Sequence, residues 1–274
     1  MHAPRTPFAV RLIGFPQDDC VQLAAMLARP PAAGPAYFCL LDDSLQEPDL
    51  YLANGGDPQA LERLDGAQPG PLQPAVVLGR ADGKVTWPCL AWPTDCGRLH
   101  SLLAQIMSRR ERALGLLAAP VKPLEVDRRR HARLGDGADV DGFGIVRQEP
   151  PSGAVLIIDK GGAFRDHVAE VLGTRKLPVE WTDSAPTAVR LCDETPVSLV
   201  MINTSTPGID PYALCSAIKS QGGAGRTAVI FLVSRNFRYD SARARDVGVR
   251  GLLDKPVADR HLVAALHKLL SLPA

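Results

Sequence analysis

Between residues 154 and 270, short apolar runs rich in β-branched residues alternate with helical patterns five times over. Ala154 to Ile158 (AVLII) is a run of the kind buried on both faces of a sheet, and Phe164, Val168, Val171 and Leu172 then recur at i, i+4, i+7 and i+8. Val179 to Thr182, Ser198 to Ile202, Ala228 to Val233 and Gly251 to Leu253 read as further strands. Helices are expected at Ala185 to Cys192, Tyr212 to Lys219, about Ser241 to Val247 and Asp259 to Leu270. Five successive βα units require a parallel, doubly wound sheet.

The first 108 residues repeat this scheme less completely. Ala9 to Gly14, Tyr37 to Leu41, Asp49 to Ala53 and Ala75 to Leu78 are strand-like, with helices expected at about Asp19 to Leu27 and Pro58 to Leu64. Leu99, Leu103 and Ile106 follow Pro93 at offsets of 6, 10 and 13, and Leu262, Leu266 and Leu269 follow Pro256 at the same offsets, as a duplicated fold requires. Only a short stretch separates Leu78 from Trp87, too little for a helical crossover, and VVLGR-ADGK-VTW carries an Asp82-Gly83 turn. An antiparallel hairpin is therefore expected there. Residues 109–152 combine many arginines with Gly and Pro breaks and few large apolar residues, which reads as a linker whose first residues extend the preceding helix. The expected units are 1–108, a 109–152 linker and 153–274.

At 274 residues and a formal net charge of +1, the chain is long enough for two cores and carries no global bias toward nucleic acid or membrane. It has neither an apolar run long enough for a membrane span nor a secretory leader at MHAPRTPFAVRLIGF, so a soluble, cytoplasmic protein is expected. Six scattered cysteines without a CxxC argue against a zinc site or a disulfide framework. No cofactor is expected.

At GAVLIIDK, SLVMINTSTPGIDPYALC, AVIFLVS and GVRGLLDKP, residues 153–272 resemble the receiver domain of two-component response regulators. Residues 8–108 resemble it weakly, by pattern more than by motif. The resemblance implies two flavodoxin-like α/β domains in tandem, the first truncated, with its hairpin in place of the fourth helix. It also implies an acidic pair and an aspartate at strand ends that hold Mg²⁺, the aspartate accepting a phosphoryl group. A Thr or Ser and a Lys before proline then sense that phosphoryl group.

Position by position, this sequence departs from that pattern. Asp159 matches the first acid, but Lys160 stands at the second and Asn203 at the phosphoacceptor; an amide is neutral and no nucleophile. Val233 replaces the hydroxyl, with Ser234 next to it, Leu252 replaces an aromatic, and Lys255 before Pro256 is retained. One carboxylate flanked by ammonium groups is the wrong charge for Mg²⁺, so Asp159 is expected to pair with Lys255 or Lys160. In the first half Asn54 aligns with the phosphoacceptor, Gly79 with the hydroxyl and Trp92 with the lysine. Asn54 reads equally as a turn residue before Gly55-Gly56.

The leading expectation is a non-catalytic, phosphorylation-independent signalling protein acting through protein-protein contact, its partner another signalling protein or a second copy. The resemblance implies a partner face around Arg235, Phe237, Arg238, Arg243 and Arg245. Two alternatives stand beside it. One is phosphorylation at Thr204, Ser205 or Ser234. The other is a small-anion or cyclic di-GMP sensor using the Lys160/Lys255 pocket or the linker arginines, where Arg129-x-x-x-Arg133 with Asp139-x-Asp141-x-x-Gly144 resembles the cyclic di-GMP motifs of PilZ domains. No DNA-binding module, nucleophile elbow or dinucleotide fingerprint is present.

Overall fold

The computed structural model describes residues 7–31, 34–80, 85–118, 153–173, 177–220 and 227–270. The first domain comprises β1 (Phe8–Ile13), α1 (Gln17–Leu27), β2 (Tyr37–Cys39), β3 (Leu50–Asn54), α2 (Pro58–Gly66), β4 (Ala75–Leu78), β5 (Cys89–Leu90) and α3 (Cys96–Ala118). The second comprises β6 (Ala154–Ile158), α4 (Ala163–Leu172), β7 (Val179–Thr182), α5 (Ala185–Glu194) and β8 (Val197–Asn203), then α6 (Pro211–Lys219), β9 (Ala228–Val233), α7 (Ser241–Asp246), β10 (Gly251–Asp254) and α8 (Asp259–Leu269).

Both sheets are parallel and share one topology, β2-β1-β3-β4-β5 in the first and β7-β6-β8-β9-β10 in the second. This is the flavodoxin-like order, which places ligand sites at the carboxyl ends of the strands. The alternation along β6, β8 and β9 feeds two cores. Leu156, Val200, Ile202, Val229 and Phe231 pack under α5, α6 and α7, and Val155, Ile157, Met201, Ile230 and Leu232 pack under α4 and α8. Helix starts are fixed locally: Asp57 caps α2, Asp210 caps α6 and Asp240 caps α7, with proline at the first position of α2 and α6.

The first domain departs from expectation in the direction of β5. Asp82 and Gly83 lie outside the described residues, but β5 starts at Cys89 and runs parallel to β4, with Val77 opposite Cys89 and Leu78 opposite Leu90. The expected antiparallel hairpin is not formed, because a strand starting after Trp87 leaves the chain room to return to the amino-terminal edge of the sheet. In addition, β2 passes to β3 through residues 40–49 without a helix. The helix α3 continues past residue 108 to Ala118, ahead of the remaining linker residues, which lie outside the described segments with Arg129, Arg133, Asp139, Asp141 and Gly144. Among the described residues no helix is long and apolar enough to cross a membrane.

The helix-free segment 40–49 is a strap that docks the two domains. Arg11 of β1 shapes it, its guanidinium donating to the carbonyls of Leu41, Asp42, Ser44 and Gln46. Ser44 then pairs in parallel with Leu252 on the outer edge of β10, and the Leu45 N–H donates to the Leu252 carbonyl at 2.9 Å. The exposed ladder edge of the second sheet is thereby covered from within the chain. The Leu45 side chain joins the core beneath α4 and α8. Gly251 makes this approach possible, since a Cβ there would lie 2.8 Å from Leu45 Cγ and the residue has φ +157. Gly251→Ala is expected to lift Leu45 off the edge at a cost of about 1–3 kcal/mol. An unchanged melting curve together with unchanged amide exchange at Leu45 would contradict this.

Candidate functional site

The carboxyl ends of β6, β8, β9 and β10 bring Asp159, Asn203, Ser234 and Lys255 to one edge of the second sheet. The Asn203 side chain is almost fully buried and works in both directions. Its Nδ2 donates to Asp159 Oδ1 at 2.6 Å, and its Oδ1 accepts the Ser205 N–H at 3.0 Å. Asp159 Oδ1 also accepts the Lys160 backbone N–H at 2.7 Å. Among the described residues the Asp159 carboxylate forms no ion pair with Lys255 or Lys160, contrary to expectation. The amide is a neutral donor already in reach, so a lysine need not be drawn in. Lys255 is half-buried; burial lowers its pKa, with the field of Asp159 opposing and that of Lys160 adding to the shift.

The hydroxyls nearby are bonded to one another or to the backbone. Ser205 Oγ donates to Ser234 Oγ at 3.0 Å, and Thr204 Oγ1 donates to the Leu232 carbonyl at 3.1 Å. Neither donates to a carboxylate or an imidazole that would take its proton, the arrangement an activated nucleophile needs.

The first domain repeats the device. Asn54 Nδ2 donates to the Gly14 carbonyl at the end of β1 at 2.9 Å, and Asn54 Oδ1 accepts the Gly56 N–H at 2.9 Å. In both domains an asparagine thus ties the end of the third strand to the end of the first and closes a turn two residues on. Gly14 has φ +75 and a Cβ there would lie 2.3 Å from that of Ala60, so the end of β1 admits no side chain where the second domain has Asp159. Trp92, at the lysine position, packs into the core beneath α1 and α3 with an edge contact to Phe15.

Residues 155–267 match the family model of the response regulator receiver domain. The second domain is a response regulator receiver domain. Among curated relatives, response regulator PleD of Caulobacter vibrioides is 28% identical over 137 residues, spanning 50% of this chain and 28% of that protein. Protein PilG of Pseudomonas aeruginosa is 29% identical over 124 residues, 44% of this chain and 90% of that protein. The chain therefore covers well under a third of PleD. The solved receiver domain of a signal transduction histidine kinase from Syntrophus aciditrophicus is 27% identical, with a TM-score of 0.39, over 44% of this chain and 91% of that one.

The donor set of this receiver domain does not fit the Mg²⁺ site of the family. Magnesium takes hard oxygen ligands, usually one or two carboxylates. Here Asp159, the carboxylate beside Asn203, is held by an amide and a backbone N–H, and the residue that follows it is Lys160 rather than a second acid.

The receiver face made by α7, β10 and α8 is where the strap lies. Asp43 accepts from Tyr239 Oη at 3.0 Å and from Ser241 Oγ, and the Asp254 N–H donates to Gln46 Oε1 at 2.8 Å. At the far end Asp49, 1% exposed, accepts from Arg260 of α8 at 2.6 and 2.7 Å, from Arg110 of α3 at 2.7 Å and from the Ala9 N–H at 2.9 Å. Burial alone would raise the Asp49 pKa; His261, the Ala9 N–H, Arg260 and Arg110 outweigh it and hold the carboxyl below its ordinary value. His261 Nε2, at 3.8 Å, acts on it through its charge or dipole, since that distance is too long for a hydrogen bond.

Of the five partner-face residues, Arg235 and Phe237 line a cleft against the first domain. Arg243 stacks over Tyr212 and bonds Asp210, and Arg245 bonds Ser241. Arg238 is exposed. Sequence reasoning missed the strap and its residues Asp43, Gln46 and Asp49. The available signal was a β2–β3 connection without helical periodicity, acidic (LDDSLQEPD) where the α7 region is rich in arginine.

Proposed function

We propose that the chain is a two-component-type signalling protein that uses the receiver fold without phosphoryl transfer and acts by protein-protein contact. The observation that carries this reading is the 2.6 Å hydrogen bond from Asn203 to Asp159, which puts a bonded amide where a phosphoryl acceptor would stand. The Mg²⁺-unsuited donor set, the valine at the hydroxyl position and the matching Asn54 arrangement support it. The surface under control is the α7–β10–α8 face, held in cis by the acidic strap. An acidic partner of extended conformation competes for that face, and charge complementarity favours such a partner over a neutral one.

The test is intact-mass spectrometry after incubation with acetyl phosphate and Mg²⁺. No phosphoryl adduct is expected, whereas a stable adduct on Thr204, Ser205, Ser234 or Asp159 would overturn the reading.

A further inference from the structure

At the carboxyl ends of β9 and β10, the two domains line a cleft of about 300 Å³. Phe38 and Leu41 line it from the first domain, and Ser234, Arg235, Phe237 and Lys255 from the second. Its size is at the lower end of the range for small-molecule pockets, and junctions between domains are where such pockets concentrate.

Two features define what would fill it. The first is charge. Among the described residues neither the Arg235 guanidinium nor the Lys255 ammonium makes a hydrogen bond or an ion pair, although Lys255 is half-buried. The carboxylate in the lining, Asp254, is 6% exposed and turned to the strap, where it accepts the Leu41 N–H at 3.4 Å. Burial raises its pKa, with Ser44, the Leu41 N–H and Arg11 opposing the shift. The second feature is the apolar wall. Phe38 and Phe237 are flat surfaces from opposite domains, and Phe237 is itself stacked on Tyr212, with ring centroids 6.0 Å apart, which fixes its plane. A cation pair beside aromatic surface suits an anionic head on a flat apolar body.

We infer that the cleft between the domains, lined by Arg235, Lys255, Phe38 and Phe237, binds a small organic anion of the aromatic phosphate or aromatic carboxylate class. Such a ligand touches both domains, so its binding strengthens their docking by linkage. It requires neither the presence nor the absence of phosphoryl transfer at Asn203.

The experiment is isothermal titration of the full chain with phenyl phosphate, with inorganic phosphate and benzyl alcohol as comparators. Saturable one-site binding of phenyl phosphate is expected, with Kd at least about tenfold lower than for either comparator. Arg235→Ala removes a cation from an exposed position, and Ala24→Phe fills the cleft from an exposed position on α1. Each is expected to raise Kd about tenfold or more, with an unchanged circular dichroism spectrum. The inference is overturned by no saturable binding to the wild-type chain, by inorganic phosphate binding as tightly as phenyl phosphate, or by binding that survives both substitutions.

Discussion

Asp49→Asn is expected to destabilise the chain by about 3–5 kcal/mol and to release the second domain from the first. The substitution keeps an acceptor for the Ala9 N–H but removes the charge that faces Arg110, whose side chain is 9% exposed. A buried guanidinium left without its counter-ion is the costly part; Arg260, 48% exposed, is rehydrated at lower cost. The pH dependence follows from the depressed pKa of Asp49. A carboxyl held below its unfolded value contributes stability that is present above that value, about 3.9, and is lost as pH falls through the folded one. The wild-type and variant chains should therefore differ most near neutrality and converge on the acid side of the unfolded value. Urea melts followed by far- and near-ultraviolet circular dichroism check this. A constant gap at all pH values would assign the loss to packing instead.

Asn203→Asp, which restores the family's residue at the phosphoacceptor position, is expected to weaken the fold at neutral pH by about 1–3 kcal/mol. The amide donates to Asp159 at 2.6 Å, and a second carboxylate there replaces a donor with a like charge. Like charges at such a distance raise the pKa of the pair. For an acid whose folded pKa is raised, the favourable state is present below the unfolded pKa and is lost as pH rises through the folded one. The deficit should be small near pH 4 and grow toward neutrality, and millimolar Mg²⁺ should recover part of it, because two carboxylates supply hard oxygen ligands. Thermal melts at the two pH values, with and without Mg²⁺, measure it. A variant as stable as the parent at pH 7 would mean that the bond from the Asn203 amide to Asp159 contributes nothing to stability.

The second domain was legible because its signals are local and agree with one another. The runs ending at Ile158 and Val233 are buried on both faces, and α6 and α7 begin within a residue of where expected. In the first domain, β5 has two residues, Cys89 and Leu90, and its direction is set by pairing with Val77 and Leu78 rather than by the Asp82-Gly83 dipeptide. Local turn chemistry therefore misdirected the reading. The position of Asn203 was legible, yet its bond to Asp159 was not, because charge counting favours a lysine and ignores a neutral donor already in place. The strap was hidden for a different reason. Its ladder contacts with Leu252, the Asp43 bonds to Tyr239 and Ser241, and the Asp49 bonds to Arg260 all join residues about 200 positions apart, and no periodicity encodes them.

The account holds that the α7–β10–α8 face is covered by the strap and that no phosphoryl chemistry at Asn203 governs the cover. Amide hydrogen exchange at Leu252 and Asp254, whose N–H groups donate to the Asp43 carbonyl and to Gln46 Oε1, reads both parts at once. The two amides should exchange slowly in the intact chain and equally slowly after addition of acetyl phosphate and Mg²⁺. Fast exchange from the outset, or protection lost when the phosphodonor is added, would contradict it.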